Sequence, residues 1–203
     1  MPPTAAPETA RDRRRQRTRR ELAVAAVRLF EVNGFGATTV EEIALTADYS
    51  ASTFFRLFPR KEDAVFFDMP DRLEVLSGSL DEHSTWTDIR AAMLEHARTW
   101  EAGDPEFAAA RVRLFHREPA LTSRYLDYCQ QYEDWLAELV ARRGDPGGAV
   151  DVSARLTAAC IVAGLRAAFR AQASTTDPAD ARSVVLHLED AFDALEAGPL
   201  RAL

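Results

Sequence analysis

The first strong apolar period of the chain predicts an amphipathic helix. Apolar side chains recur at steps of three and four between about Arg13 and Val32, which places them on one helical face. Asn33 and Gly34 follow, and glycine accepts the positive φ with which many helices end. The predicted core-facing stripe consists of Leu22, Ala25, Ala26, Leu29 and Phe30.

The next segment carries the signal for the start of a short helix. Thr39 stands three residues before Glu42, which is the spacing of a capping box, where each side chain accepts the other residue's backbone N–H. We expect this helix to end at about Ala47, because Asp48 occupies a tight turn and tolerates left-handed geometry better than most residues.

A second short helix is predicted from about Ser50 to Leu57, since Pro59 keeps the residue before it out of the α region. Two short helices that follow a longer one and are joined by a turn form a helix-turn-helix unit. The second helix of such a unit enters the DNA major groove. The spacing of the two short helices does not by itself distinguish a DNA-binding unit from a pair of short helices in an ordinary helical bundle, which remains the alternative.

The rest of the chain also has helical periodicity, without the alternation of a strand. Proline and glycine clusters separate the helical segments. The predicted fold class is therefore all-α with about nine helices. The later segments are 61–79, 85–101, 105–116, 119–143, 149–172 and 178–196.

Charge is distributed unevenly along this chain of 203 residues, which has a net charge of −7. The first 61 residues carry 11 Arg and Lys against 7 Asp and Glu, a net charge of +4, so the remainder carries −11. A basic start on an acidic chain indicates an anionic partner, either nucleic acid or a membrane surface.

Residues 19–64, RRELAVAAVRLFEVNGFGATTVEEIALTADYSASTFFRLFPRKEDA, have a specific pattern. Its marks are AAxxLFxxxGFxxTTVxxIAxxA and then SxxTFFRxFPxKE. This stretch resembles the DNA-binding domain of the tetracycline-repressor (TetR-like) family of bacterial transcriptional regulators. The resemblance implies three parts: a disordered arm at 1–12, a helix-turn-helix DNA-binding domain at 13–60, and a helical ligand-binding and dimerisation domain at 61–203.

The sequence departs from the family pattern at three positions. Asp48 and Tyr49 stand where such turns usually carry glycine and a small aliphatic residue, and Phe55 stands where tyrosine is common. Without the hydroxyl, Phe55 is expected to be an apolar spacer or a base contact.

The resemblance assigns DNA-binding roles to individual residues. Thr39, Arg56 and Lys61 would contact phosphates. The residues that would face the major groove are Ser50, Ala51, Ser52, Thr53 and Phe55, with Thr53 also near a phosphate. Arg17, Arg19 and Arg20 would reach the flanking backbone, and residues 11–15 could enter the minor groove.

Residues 50–55 contain no Asn, Gln or Arg, so bidentate recognition of guanine or adenine from this stretch is excluded. We therefore expect phosphate contacts to supply a large share of the affinity. The affinity should consequently fall steeply with salt.

The resemblance also implies a homodimer formed by the last two long helices, matched to a two-fold symmetric double-stranded DNA operator. The candidate interface residues are Leu156, Cys160, Ala163, Gly164, Ala167, Val184, Leu188, Phe192 and Leu195. Burial inside one subunit is the alternative for each of them.

Aromatic side chains and a few polar ones in the middle of the chain could line a cavity for a small molecule, which we expect to be largely apolar or aromatic. The candidates are Trp86, Met93, His96, Trp100, Phe107, Arg111, Phe115, Tyr128, Tyr132 and Trp135. An ordinary hydrophobic core is the alternative.

The function implied is that of a homodimeric repressor, released from its operator by a small molecule; activation stays open. An enzyme is not expected, because the four histidines and two cysteines lack metal spacing and no phosphate-binding or nucleophile motif occurs. We expect no cofactor, no metal, no membrane partner and a cytoplasmic location. A membrane-surface module would need the apolar face of residues 22–30 to be exposed.

Overall fold

The computed structural model describes residues 9–143, 147–174 and 183–198. Within these ranges the chain forms nine α-helices and one 3-10 helix, and it divides into two units between Phe67 and Asp68. We call the first unit the head and the second the body. The helices are α1 (Ala10–Asn33), α2 (Val40–Thr46), α3 (Ala51–Leu57), the 3-10 helix (Lys61–Ala64), α4 (Met69–Ser79), α5 (Trp86–Glu101), α6 (Pro105–Arg117), α7 (Pro119–Ala141), α8 (Val152–Ser174) and α9 (Val184–Ala197).

Helix α1 begins earlier than the apolar pattern indicates. Thr9 is its N-cap and forms a capping box with Asp12, so residues 10–12, which the sequence prediction assigns to a disordered arm, are helical. The rest of that arm, residues 1–8, lies outside the described residues. The sequence does contain the signal for this helix start, because Thr9 and Asp12 have the capping-box spacing. The small residues and prolines before Thr9, however, are typical of a disordered segment.

The local signals of α1, α2 and the turn after α2 gave correct predictions. Gly34 ends α1 with a φ of 84°, and Thr39 and Glu42 form the expected capping box of α2. Asp48 has a φ of 60°, the left-handed geometry that its position in the turn indicated. Ser50 is the N-cap of α3, and its side chain accepts the N–H of Thr53.

The single helix that we predicted for residues 61–79 is wrong. The 3-10 helix Lys61–Ala64 and α4 replace it, because Pro70 lacks an N–H and is tolerated only in the first turn of a helix. The 3-10 helix packs on α1, so the head extends to Phe67 and the predicted boundary at residue 60 moves by seven residues.

The body is built around α8, which packs against α6, α7 and α9. Gly164 permits the close approach of α8 and α9, because a Cβ there would lie 3.3 Å from the side chains of Phe192 and Leu195. The first residues of the helix predicted for 178–196 lie outside the described residues, and α9 begins at Val184.

By length and composition alone, α8 is the one helix in the described ranges that could span a bilayer. Its buried face, however, includes Ala158, Ile161, Val162 and Leu165. A helix that packs against three neighbours through such a face has the character of a core helix.

Candidate DNA interface

The hydrophobic core of the head supports α3 from one side. Phe54 and Phe58 of α3 are buried, and their rings lie 5.2 Å apart, while Phe55 between them is 54% exposed. The inner face of α3 is therefore fixed and the outer face is exposed to solvent. The other buried side chains of the first three helices include Leu22, Ala26, Phe30, Ile43 and Ala44.

The predicted groove-facing residues lie at the start of α3. Ser50 and Ser52 are exposed, and Ala51 and Thr53 are half-buried. The hydroxyls of Ser50 and Thr53 lie 3.1 Å apart, so their side chains form one small polar surface. Arg56 follows one turn later and is exposed.

Thr39 is fixed by its own helix. Its hydroxyl donates to a carboxylate oxygen of Glu42 at 2.9 Å, and the same carboxylate accepts the N–H of Thr39 at 2.8 Å. These two bonds lower the pKa of Glu42, with the backbone bond as the larger cause. The carboxylate is therefore charged and occupies the N-terminus of α2, where a phosphate contact was predicted.

A groove of about 1250 Å³ lies between the first turns of α1 and the outer side of α3. Six arginines line it against two carboxylates, those of Asp12 and Glu21, so the groove is strongly basic. Thr53 and Arg56 of α3 lie on its other wall. The arginines are Arg11, Arg13, Arg14, Arg15, Arg17 and Arg56.

The helical form of residues 11–15 changes their expected use. An α-helix with its side chains is about 10–12 Å wide, and the minor groove of B-DNA is only about 6 Å wide. A helix of this width does not fit that groove, so the structure does not favour the predicted entry of residues 11–15 into the minor groove, and it presents their arginines along a helix.

The three arginines that we predicted to flank the interface have different environments. Arg17 is exposed and pairs with Glu21 at 2.9 Å. Arg20 is exposed beside a second groove of about 720 Å³, which Asp48 also lines. Arg19 is half-buried: its guanidinium donates to the carbonyl of Phe67 and lies over the ring of Phe58. Because the guanidinium of Arg19 is bound to other residues of the head, the structure does not favour its predicted contact with the DNA backbone.

Lys61 has a role that the sequence did not indicate. Its Nζ donates to the carbonyl oxygens of Phe35 and Thr38 at 2.6 and 3.0 Å and lies 4.2 Å from the ring centroid of Phe35. The ammonium thus holds the loop between α1 and α2. Its phosphate contact stays a prediction, for which one of the three ammonium protons remains.

Tyr49 is a site residue that the sequence reasoning missed, and no short-range signal could have found it. Its hydroxyl donates to Glu21 Oε2 at 2.6 Å, across 28 positions of the chain. The bond from Tyr49, followed by the bond from Arg17, lowers the pKa of Glu21.

In the body, four of the predicted pocket residues lie in one cluster, which we call the aromatic cluster: Arg111 and the three aromatic side chains of Trp100, Phe107 and Phe115. The guanidinium of Arg111 lies 5.2 Å from the ring centroid of Trp100 and 5.5 Å from that of Phe107. Phe115 joins the cluster through Phe169, which also packs against Trp100. The buried indole N–H of Trp100 has no acceptor among the described residues.

Arg111 is itself buried and paired. It donates to both carboxylate oxygens of Asp68, at 2.5 and 3.2 Å. Burial would raise the pKa of Asp68, but the charge of Arg111 and its hydrogen bond outweigh burial and keep the pKa below its usual value. Arg111 therefore belongs both to the aromatic cluster and to an ion pair with Asp68.

His96 and Tyr132 form a second polar pair, with Nε2 and the hydroxyl 2.9 Å apart. Burial, with the nearby charge of Arg72, lowers the pKa of His96 to about 3, so the imidazole is neutral at pH 7. Burial also raises the pKa of Tyr132.

The other predicted pocket residues are more scattered. Trp86 packs against Phe192 and donates its indole N–H to Glu196 of α9, so the structure does not bring it into the aromatic cluster. Tyr128 lies beside Arg124 on α7. Met93 is buried on α5, and Trp135 is half-buried on α7.

The predicted dimer residues separate into two sets. Gly164, Val184, Leu188 and Phe192 are buried within one chain, which corrects their assignment to a surface between chains, and Leu195 is half-buried. The exposed set is Leu156, Cys160, Ala163 and Ala167, at steps of four, three and four along α8. The sequence prediction combined residues of the buried and the exposed face of α8. Neighbouring residues of a helix, such as Ala163 and Gly164, point about 100° apart and can therefore lie on different faces.

Comparisons with known proteins agree with this arrangement. Residues 22–65 match the family model of bacterial regulatory proteins of the tetR family, and residues 83–199 match that of the MftR C-terminal domain. The HTH-type transcriptional regulator TcmR of Streptomyces glaucescens is 30% identical over 142 residues, which cover 66% of this chain and 63% of TcmR. This chain therefore spans a little under two thirds of the length of TcmR.

A second relative is MftR of Mycobacterium tuberculosis, named as a mycofactocin biosynthesis transcriptional regulator. It is 27% identical over 134 residues, which cover 64% of this chain and 68% of MftR. The solved SmeT–triclosan complex has the same fold, with a TM-score of 0.58 and 19% identity over 88% of this chain and 91% of that chain. The chain therefore belongs to the TetR family of bacterial regulatory proteins.

Proposed function

We propose that the protein is a homodimeric repressor that binds a two-fold symmetric DNA operator through its head and is released by a small molecule bound in its body. The observation that carries this proposal is the basic groove between α1 and α3, beside the exposed start of α3. A phosphate backbone is the ligand that such a surface favours.

The groove and the start of α3 would make different kinds of contact with DNA. The arginine face of α1, together with Thr53 and Arg56, would hold phosphates and set the orientation of the head. Ser50, Ala51, Ser52 and Phe55 would face the base edges, where small hydroxyls and an apolar ring give modest discrimination. The thymine methyl group is a natural partner for Phe55, because its exposed ring offers only apolar contact.

The exposed stripe of α8 supports the dimer. Val152 extends the stripe of Leu156, Cys160, Ala163 and Ala167 by one turn and is 82% exposed. Small side chains allow two helices to approach closely, and a two-fold axis would place the same stripe on both chains. We infer that α8 contributes the centre of the interface.

The aromatic cluster of the body supports an effector that is largely apolar or aromatic. Trp100 and Phe107 are half-buried aromatic side chains beside Arg111, and the indole N–H of Trp100, which has no acceptor among the described residues, would donate one hydrogen bond to the ligand. The ligand would shift the protein between two states only by binding them unequally. SmeT, which shares this fold, was solved in complex with the small molecule triclosan. A regulator of bacterial transcription acts on DNA in the cytoplasm, which is the location we propose.

The first test is selection from a randomised duplex pool at two salt concentrations, followed by sequencing of the retained duplexes. Enrichment of a two-fold symmetric site is expected. Retention that depends on salt but not on sequence would contradict operator recognition. An enriched single half-site would contradict the dimer.

A variant separates contacts on α3 from the folding of the head. Thr53→Ala with Arg56→Ala should lower the affinity for the selected duplex by at least about tenfold and reduce the salt slope, because phosphate contacts are lost. Fluorescence anisotropy measures the affinity, and circular dichroism checks that the helices are retained. Unchanged affinity would contradict the assignment of these two residues.

The dimer is tested by sedimentation. Ala163→Arg places a charge in the exposed stripe of α8 and is expected to give a monomer, whereas Arg155→Ala, a change outside the stripe on the same helix, should leave the dimer intact. A dimer in both variants would contradict the assigned surface.

A further inference from the structure

Tyr49 occupies the single position between the turn that ends α2 and the N-cap of α3. Asp48 N–H donates to Leu45 O at 3.1 Å and Tyr49 N–H donates to Ala44 O at 2.8 Å, which together form a Schellman motif. Ser50, the next residue, already caps α3. The backbone on both sides of Tyr49 is therefore fixed.

The side chain of Tyr49 connects this turn to α1. Its hydroxyl donates to Glu21 Oε2 at 2.6 Å and lies 3.4 Å from the hydroxyl of Thr18, whose proton is shared between Tyr49 and the carbonyl oxygen of Arg14 at 3.1 Å. The other carboxylate oxygen of Glu21 accepts the Nε–H of Arg17 at 2.9 Å. Four side chains thus tie the beginning of α3 to the helix that carries the arginine face.

Charge strengthens this connection. The bonds from Tyr49 and Arg17 lower the pKa of Glu21, so its carboxylate is ionised at neutral pH. Hydrogen bonds to a charged acceptor are about twice as strong as bonds between neutral groups. Tyr49, Glu21 and Arg17 line both grooves of the head, so they form the wall between them.

We propose that Tyr49 is a positioning residue for DNA recognition: through Glu21 it holds the start of α3 at a fixed position relative to the arginine face of α1. The inference rests on the DNA interface proposed above. Specific binding requires base contacts from α3 and phosphate contacts from α1 at the same time, whereas non-specific binding requires the phosphate contacts alone. Tyr49 should therefore govern the ratio of specific to non-specific affinity.

The test uses the full chain with Tyr49→Phe, which retains the ring and removes only the hydroxyl. The probes are the duplex selected from the random pool and a scrambled duplex of equal length and composition. We expect the affinity for the selected duplex to fall by about tenfold, as for the loss of one charge-assisted hydrogen bond. Affinity for the scrambled duplex should stay within about twofold, with an unchanged salt slope, because no phosphate contact is removed.

Two outcomes would overturn the proposal. Unchanged affinity for the selected duplex would mean that the hydroxyl does not matter. An equal loss on both duplexes would mean that the variant damages the head as a whole or removes a phosphate contact, and a lower salt slope would identify the latter.

A double-mutant cycle tests the route through Glu21. Glu21→Ala should lower the specificity ratio as Tyr49→Phe does, and the double variant should be no worse than the more damaging single variant. Additive losses would show that the two side chains act separately. Glu21→Gln retains an acceptor oxygen and should recover part of the ratio, and Tyr125→Phe in the body is the matched control for loss of a hydroxyl.

A measurement without DNA decides whether Tyr49 holds α3. Amide hydrogen exchange over residues 50–57 should be faster in Tyr49→Phe than in the unchanged protein, while exchange in α8 stays the same. Equal exchange over residues 50–57 would overturn the proposal. If the unchanged protein selects no duplex, the proposed function fails, and this exchange experiment still decides the role of Tyr49.

Discussion

In the head, Arg17 pairs with Glu21 through side chains that are 80% and 38% exposed, whereas in the body Arg111 pairs with Asp68 through side chains that are 3% and 21% exposed. Both are arginine–carboxylate pairs of short length. Water and salt reach the first pair and weaken it, while the second pair has lost most of its hydration.

The two environments indicate different uses of charge. An exposed arginine can exchange its carboxylate partner for a phosphate at little cost, which suits a surface that binds DNA. A buried pair costs free energy to desolvate, and removing one partner leaves the other charge uncompensated. The body should therefore be sensitive to single charge changes that the head tolerates, and three predictions examine this difference.

The largest expected effect is that of Arg111→Met. The variant removes the hydrogen-bonded counter-charge of Asp68 and leaves only the weaker attraction of Arg72, so we expect the free energy of unfolding of the body to fall by about 3 kcal/mol. All three tryptophans, at 86, 100 and 135, belong to the body, so urea unfolding followed by tryptophan fluorescence reports on this unit.

The matched variant in the head is Arg17→Ala, for which unfolding followed by circular dichroism should be unchanged within error. Adding Asp68→Asn to Arg111→Met should recover much of the loss, because the uncompensated charge is removed. A small effect of Arg111→Met alone would contradict the view that this pair is shielded from water.

The second prediction concerns pH. His96 has a pKa of about 3 in the folded body and near 6.5 when unfolded, so the unfolded chain binds the extra proton as the pH falls below 6.5. The stability of the body should consequently fall between pH 6.5 and 5, by at most about 1.4 kcal/mol per pH unit for this group. His96→Gln should reduce this slope in urea unfolding measured by tryptophan fluorescence.

His116 contributes in the same direction, because burial lowers its pKa as well, so His96→Gln should leave part of the slope. All four histidines lie beyond residue 82, and the head contains none. A pH slope that His96→Gln leaves unchanged would contradict the neutral, buried state of His96.

The smallest effect is expected for Asp48→Gly in the head. Asp48 has a φ of 60°, and glycine adopts this geometry without the strain of a Cβ. We expect a gain of about 0.5–1 kcal/mol in the stability of the head, with unchanged affinity for the selected duplex. Thermal unfolding followed by circular dichroism measures the gain, and a loss of stability would show that the side chain of Asp48 stabilises the turn.

Much of the head was predictable because its signals are local. The capping box of Thr39 and Glu42, the N-cap at Ser50 and the left-handed Asp48 depend on residues within four positions of each other. Hydrogen bonds of this kind form whenever the backbone becomes helical, so residue type and spacing are enough to predict them. The capping box of Thr9 and Asp12 at the start of α1 is also a local signal, but the prolines before it favoured the prediction of a disordered arm.

The contacts between residues far apart in the chain could not be predicted from residue type and spacing. Lys61 reaches carbonyls 23 and 26 positions away, Tyr49 reaches a carboxylate 28 positions away, and Arg111 reaches one 43 positions away. Each partner is one of several of its type in the sequence, and helix packing selects among them.

The sequence by itself therefore determined the all-α class, the turns of the helix-turn-helix unit and the family. Only the tertiary structure decided which face of α8 is buried, which arginines of α1 line the groove, and which carboxylate Arg111 requires. Local backbone hydrogen bonds depend on the nearest residues, whereas burial and ion pairing depend on how helices pack against each other, and no short stretch of sequence contains that information.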